Sequence, residues 1–240
     1  MSKLIDILKK NCSKDDIKIF ALIFMGCDHT ALYLANAGAE LGIFYFFCRC
    51  FGRLAFPMFA FCLVDGYLQT SSRKKYLTRL IVWAFISEIP YNLFISGKVI
   101  DWTNKNVLFT YVIGFLLIDI LRWLVNPTFW KYACCIVAFM VSAQLLGVDY
   151  GALGILLIAL YYIWPVTEKK NWGFYILIAG LFVFAFGCMS IFIIPAFYYL
   201  TFYDASDYRK TKRDYLVRII FYVFYPLHML IGYLFLLIVR

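Results

Sequence analysis

Nine apolar runs follow one another along this chain, and the loops between them are short and mostly basic. The runs fall at roughly 17–37, 41–69, 79–96, 106–125, 131–147, 151–166, 172–187, 189–203 and 215–239. A helix that crosses a bilayer needs about 20 mainly apolar residues. The chain is 64% hydrophobic and 15% charged, against about 25% charged in a soluble domain. That leaves too little polar surface to face water on all sides. The pattern predicts an all-α polytopic membrane protein with nine transmembrane helices. It forms one domain over residues 1–240, with residues 1–16 as a cytoplasmic segment. Met1 to Lys18 is polar and charged and shows no cleavage site after a short apolar core, so the first span is expected to stay in the mature protein. The second run holds Pro57 and is expected to kink there.

Charge gives the orientation. With the N-terminus in the cytoplasm and the spans alternating, 18 Lys and Arg residues fall inside and 3 outside, while Arg49 and Arg53 lie at membrane depth. Cytoplasmic loops are the basic ones, which predicts an N-in, C-out topology. The formal net charge of +9 is therefore a topology signal and not a nucleic-acid surface. The 8 cysteines lie mostly inside apolar runs, and with 2 distant histidines they match no zinc-ligand spacing. No metal is expected, and the cysteines read as small core residues.

Polar groups at bilayer depth are costly and mark interiors or functional cavities. The first span carries Asp28-His29 in its middle. Lys18 lies eleven residues earlier, on the same helical face and about 16 Å below His29. Arg49 and Arg53 share a face of the second span as an i, i+4 pair. A buried arginine needs a carboxylate, and Asp28–Arg53 is the first expected pair, with Glu88 of the third span competing. Asp28, His29, Arg49, Arg53 and Glu88 are expected to meet in one midplane cluster. Ser71 to Tyr76 is a basic loop suited to phosphate. His228, two residues after Pro226, either binds substrate or hydrogen-bonds backbone freed by the proline.

Several stretches resemble one family. They are Asp28-His29, the run Gly52-Arg53-Leu54-Ala55-Phe56-Pro57, Ser87-Glu88-Ile89-Pro90-Tyr91, Asn106 to Thr110, and Phe221 to His228. In that order they resemble the TraX family, which is associated with N-terminal acetylation of conjugative pilin. That family is distantly similar to membrane acyltransferases that pass acetyl groups from cytoplasmic acetyl-CoA to acceptors. One such type has an arginine eleven residues before a first-span histidine; here Lys18 holds that place.

The resemblance implies a membrane-bound acetyltransferase of the bacterial cytoplasmic membrane. Acetyl-CoA is the donor, and the acceptor is a peptide amine or an envelope glycan. The implied catalytic set is His29, Asp28, Arg53 and Glu88. His29 acts as general base or as transient acetyl carrier, and Arg53 stabilises the oxyanion. Lys18, Arg73, Lys74, Lys75 and Arg79 meet the donor's phosphates, with Arg49 counted among the donor-binding cations. Asn106, Thr110 and His228 take the acceptor side. The same midplane charges also suit a proton-coupled transporter or flippase, and a non-catalytic assembly subunit is a third reading.

Overall fold

A computed structural model describes residues 13–124, 128–203 and 212–239. Nine α-helices lie among them: α1 (Lys14–Asn36), α2 (Gly42–Gln69), α3 (Arg73–Ser96), α4 (Val107–Trp123), α5 (Phe129–Leu145), α6 (Gly151–Ile163), α7 (Trp172–Phe186), α8 (Ile193–Leu200) and α9 (Lys212–Val239). They fall on the nine apolar runs. No strand occurs among the described residues; an isolated bridge joins Lys105 and Val148. Residues 1–12 of the expected cytoplasmic segment, and Arg209 and Lys210 of the last basic loop, lie outside the described residues.

Three helices are long and apolar enough to cross a membrane: α1, α2 and residues 219–239 of α9. The apolar helices α5, α6 and α7 are shorter. The 17 residues of α5 extend about 26 Å, against a hydrocarbon core of about 30 Å. α2 runs through Pro57 without a break.

Local sequence explains the helix starts. Ser13 and Asp16 form a reciprocal capping box that opens α1, satisfying donors that a helix N-terminus leaves without partners. The Ser72 hydroxyl accepts from the Lys75 amide at the start of α3. The basic stretch therefore belongs to the first turns of α3 and not to a loop.

The chain divides into two compact units, one formed by the residues up to Cys62 together with those from Pro165 onward, the other by Leu63–Trp164. In the first unit α1 buries the stripe Ile17, Ala21, Met25, Asp28 and Ala31, which recurs at helical spacing. α1 meets α2 antiparallel: Phe24 stacks on Phe51 with centroids 5.8 Å apart, and Asp28 pairs with Arg49. α1 meets α9 parallel. Gly26 faces Phe224, His29 faces His228, and Tyr33 lies over Gly232. Phe59 of α2 packs edge-on to Phe221 of α9.

In the second unit Leu117, Leu121, Ala143, Val148, Ile155 and Ala159 form a core shared by α4, α5, α6 and the turn before α6. Gly114 lets α4 and α6 approach; a Cβ there would sit 2.5 Å from Ile158 Cδ1. Small residues at such crossings are how helices pack where burial from water gives little drive. Asn106 caps α4 by accepting from the Leu108 amide at 3.0 Å.

Candidate functional site

The first unit gathers most of the ionisable groups expected at the centre. The absence of a side chain on Gly52 brings α1 against α2: a Cβ on Gly52 would lie 2.2 Å from Asp28 Cγ. The contact line decides the ion pair. Arg49 Nη1 donates to Asp28 Oδ1 at 2.7 Å, and so the expected Asp28–Arg53 pair is corrected to Asp28–Arg49. Arg49 stands one turn before Gly52 and about 60° from it around the helix. Arg53 follows Gly52 directly and points about 100° away. Arg53 nevertheless stays within electrostatic reach of the Asp28 carboxylate. Arg49, expected among the donor-binding cations, is thus occupied in holding Asp28.

His29 sits next to this pair in sequence and turns toward α9. Its Nδ1 lies 2.6 Å from His228 Nε2. The two rings are nearly parallel, 8° apart, with centroids 4.9 Å apart. That separation is close to the N···N distance plus the two ring radii, so the contact runs along the line of ring centres, in the ring planes. His228 Nδ1 is 2.7 Å from the Phe224 carbonyl oxygen. The Phe224 ring stacks on His228 with centroids 4.7 Å apart. Tyr33, one helical turn beyond His29, donates its hydroxyl to the His228 carbonyl at 2.8 Å. A Cβ on Gly232 would meet the Tyr33 ring at 2.3 Å, so the glycine makes room for the tyrosine.

Beside this constellation lies an apolar groove of about 500 Å³, bordered by Ile23, Gly26, Thr30, Phe44, Cys48 and Phe224 among others. Phe224 thus belongs both to the groove wall and to the stack on His228.

The remaining expected residues have partners of their own. Glu88 belongs to the second unit, where its Oε2 accepts from Asn106 Nδ2 at 2.6 Å and its Oε1 is 3.6 Å from Lys105 Nζ. Asn106 is fully buried and also donates to the Ala84 carbonyl at 2.8 Å. Thr110 is equally buried and its hydroxyl donates to the Asp149 carbonyl. Asn106 and Thr110, expected to line an acceptor's approach, make hydrogen bonds that hold α4 in place.

Lys18 pairs with Asp15 at 3.2 Å. Arg73 Nη1 lies 3.8 Å from Asp119 Oδ1 and its guanidinium covers the Tyr67 ring. Tyr67 in turn donates to Asp119 at 2.7 Å. Lys74, Lys75 and Arg79 are exposed. No cluster of three or more His, Cys, Asp or Glu suited to a metal occurs among the described residues.

Tyr33, Gly52 and Gly232 were not singled out by residue chemistry as parts of the site. The available signal was spacing. Tyr33 follows His29 by four residues, and Gly232 follows His228 by four, so each shares a face with its histidine.

A family model described as TraX protein matches residues 13–239. The chain is 32% identical over 127 residues to the probable fimbrial assembly protein FimC, serogroup H1, of Dichelobacter nodosus, a match covering 50% of this chain and 49% of that protein. It is 30% identical over 152 residues to Protein TraX of Escherichia coli, covering 62% of this chain and 55% of that protein. Protein TraX of Escherichia coli strain K12 is 31% identical over 149 residues, with coverages of 61% and 54%. The chain thus spans about half the length of these relatives. No solved structure matches.

Proposed function

Because this chain belongs to the TraX family, we propose that it is a multi-pass protein of the bacterial cytoplasmic membrane that transfers acetyl from cytoplasmic acetyl-CoA to an acceptor amine or hydroxyl on a peptide or envelope glycan. The observation that carries the reading is the pairing of His29 with His228, 2.6 Å apart, beside the Asp28–Arg49 ion pair, on three helices apolar enough to span a bilayer. A mere register device would need the ion pair alone. Two imidazoles in line, each with one N–H and one bare nitrogen when neutral, supply a base and a hydrogen-bonded partner that orients it. The parallel run of α1 and α9 agrees with a first and a ninth span in an alternating topology with N-in and C-out.

In the direct route, the acceptor's nitrogen or oxygen attacks the thioester carbonyl while His29 takes its proton. The carbon–sulfur bond breaks, and the thiolate leaves with that proton. In the covalent route, His29 itself attacks the carbonyl and the carbon–sulfur bond breaks with release of the thiolate. The acceptor then attacks the acetyl carbon, the bond from that carbon to the imidazole nitrogen breaks, and the acceptor's proton passes to the thiolate. Arg53 supplies the positive charge that steadies the oxyanion in either route, and the Asp28–Arg49 pair fixes the helices that carry His29 and Arg53. Within the second unit, Lys74, Lys75 and Arg79 carry exposed positive charge at the N-terminal turns of α3, where helix amides favour anions.

Thermal unfolding of the purified protein with acetyl-CoA, with CoA and without ligand tests this reading. A ligand at one hundred times its Kd stabilises by about 2.7 kcal/mol. At about 2–4 °C per kcal/mol for a chain of this size, the midpoint rises by roughly 5–11 °C. Absence of any shift at millimolar acetyl-CoA and CoA overturns the donor assignment and favours a proton-coupled carrier.

A further inference from the structure

The hydrogen bonds around His228 fix where its protons are. The Phe224 carbonyl can only accept, so the nitrogen 2.7 Å from it, His228 Nδ1, bears hydrogen. A neutral imidazole has one N–H and one bare nitrogen. His228 Nε2 is then the bare one and must accept. Its neighbour at 2.6 Å, His29 Nδ1, must therefore be protonated and donate. His29 is left with its lone pair on Nε2. The chain of dependence runs from a backbone carbonyl of α9, through one histidine, to the proton distribution of another on α1. It is the logic by which buried carboxylates or carbonyls set the tautomer of a working histidine.

We propose that His228 is a positioning residue that holds His29 as the Nδ1–H tautomer, so that Nε2 is the reacting nitrogen. This rests on the acetyl-transfer reading only for what Nε2 reacts with. In the direct route the acceptor's proton goes to His29 Nε2 as the new bond to carbon forms, and then to the thiolate sulfur as the carbon–sulfur bond breaks. In the covalent route Nε2 makes the bond to the acetyl carbon and the thiolate is released. When His29 carries positive charge in either route, its Nδ1–H bond to His228 becomes charge-assisted and stronger. Tyr33 holds the backbone of His228 at 2.8 Å, and the Phe224 ring stacks against the His228 imidazole, so the acceptor nitrogen of His228 keeps its aim. The device explains why the two histidines of the chain face one another from helices nearly two hundred residues apart.

Histidine-selective nitrogen-15 labelling gives a direct test, because the chain contains just 2 histidines and hence four ring nitrogens. Spectra of the intact protein in bilayers at neutral pH are expected to show both rings with hydrogen on Nδ1 and bare Nε2. They are also expected to show a nitrogen–nitrogen coupling between the rings. In free histidine the Nε2–H form is the favoured neutral tautomer, so the expected pattern is the opposite of the default. His228→Phe is expected to return His29 to Nε2–H, and His228→Gln, whose amide oxygen takes the place of Nε2, to restore Nδ1–H. In acetyl transfer His228→Phe is expected to lose about 10²-fold in kcat at unchanged KM for acetyl-CoA, with partial recovery in His228→Gln.

A wild-type spectrum with hydrogen on His29 Nε2 overturns the proposal, even if the variants do not fold. So does a His228→Phe protein with the tautomer unchanged. The expected spectra together with absence of acetyl transfer from acetyl-CoA would overturn the acetyltransferase reading and leave the positioning role of His228 standing.

Discussion

A methyl group added at Gly52 has nowhere to go. Its ideal position is 2.2 Å from Asp28 Cγ and 2.5 Å from Asp28 Cβ and Oδ2. Because the Cβ of Asp28 itself is in the way, no rotation of that side chain relieves the clash, and α1 and α2 must move apart. Overpacking of this kind costs about 1–3 kcal/mol. The same movement pulls Asp28 from Arg49, whose side chains are 12% and 20% exposed. Breaking a fully buried pair costs about 3–5 kcal/mol, and partial exposure reduces that share. The sum for Gly52→Ala is about 2–4 kcal/mol, which lowers the unfolding midpoint by roughly 4–16 °C. Gly180 supplies the control. It lies in the interior of α7 with no heavy atom within 4 Å of an added Cβ, and Ala is favoured over Gly inside a helix by about 0.5–1 kcal/mol. Gly180→Ala is therefore expected to match or exceed the wild type. Both variants are purified in one detergent and melted side by side. A Gly52→Ala protein as stable as Gly180→Ala would refute the close approach of α1 and α2 and the ion pair built on it.

Arg49→Met alone leaves the Asp28 carboxylate without its guanidinium and is expected to cost up to about 3–5 kcal/mol; Asp28→Asn added to it recovers most of the loss, read as the unfolding midpoint of the double variant. Asn106→Ala removes the cap of α4, at about 1 kcal/mol, and two donors from Glu88 and Ala84, at about 1–3 kcal/mol. A drop well below wild type is expected by the same measurement, while Asn106→Asp keeps the cap but sets a second carboxylate against Glu88 and is not expected to rescue.

Hydropathy and charge made the helices legible, because each apolar run is bounded by polar or turn residues. They gave no information on which helices touch. α1 and α9 are neighbours across most of the chain, and their contact depends on Gly26, Tyr33 and Gly232, whose meaning appears only when the two faces are set together. Asp28, His29, Arg49 and Arg53 stood out as charges in apolar runs. The choice between Arg49 and Arg53 did not, since i and i+4 share a face and the decision lies with Gly52. Asn106 carried a readable cap signal, a polar residue just ahead of the apolar run Val107-Leu108-Phe109, and its burial follows from that cap and from Glu88. The start of α3 at Arg73 was obscured by its charged first turn, although Ser72 is a favoured N-cap and Lys and Arg are good helix formers.

The most direct measurement is transfer itself. Inside-out membrane vesicles containing the protein receive acetyl-CoA with a radiolabelled acetyl group outside, and a short peptide with a free α-amine is trapped in the lumen. Label is expected on the lumenal peptide with the wild type, and a loss on the order of 10²-fold or more is expected with His29→Asn at equal insertion. A His29→Asn protein that transfers label at the wild-type rate would contradict the assignment of chemistry to His29.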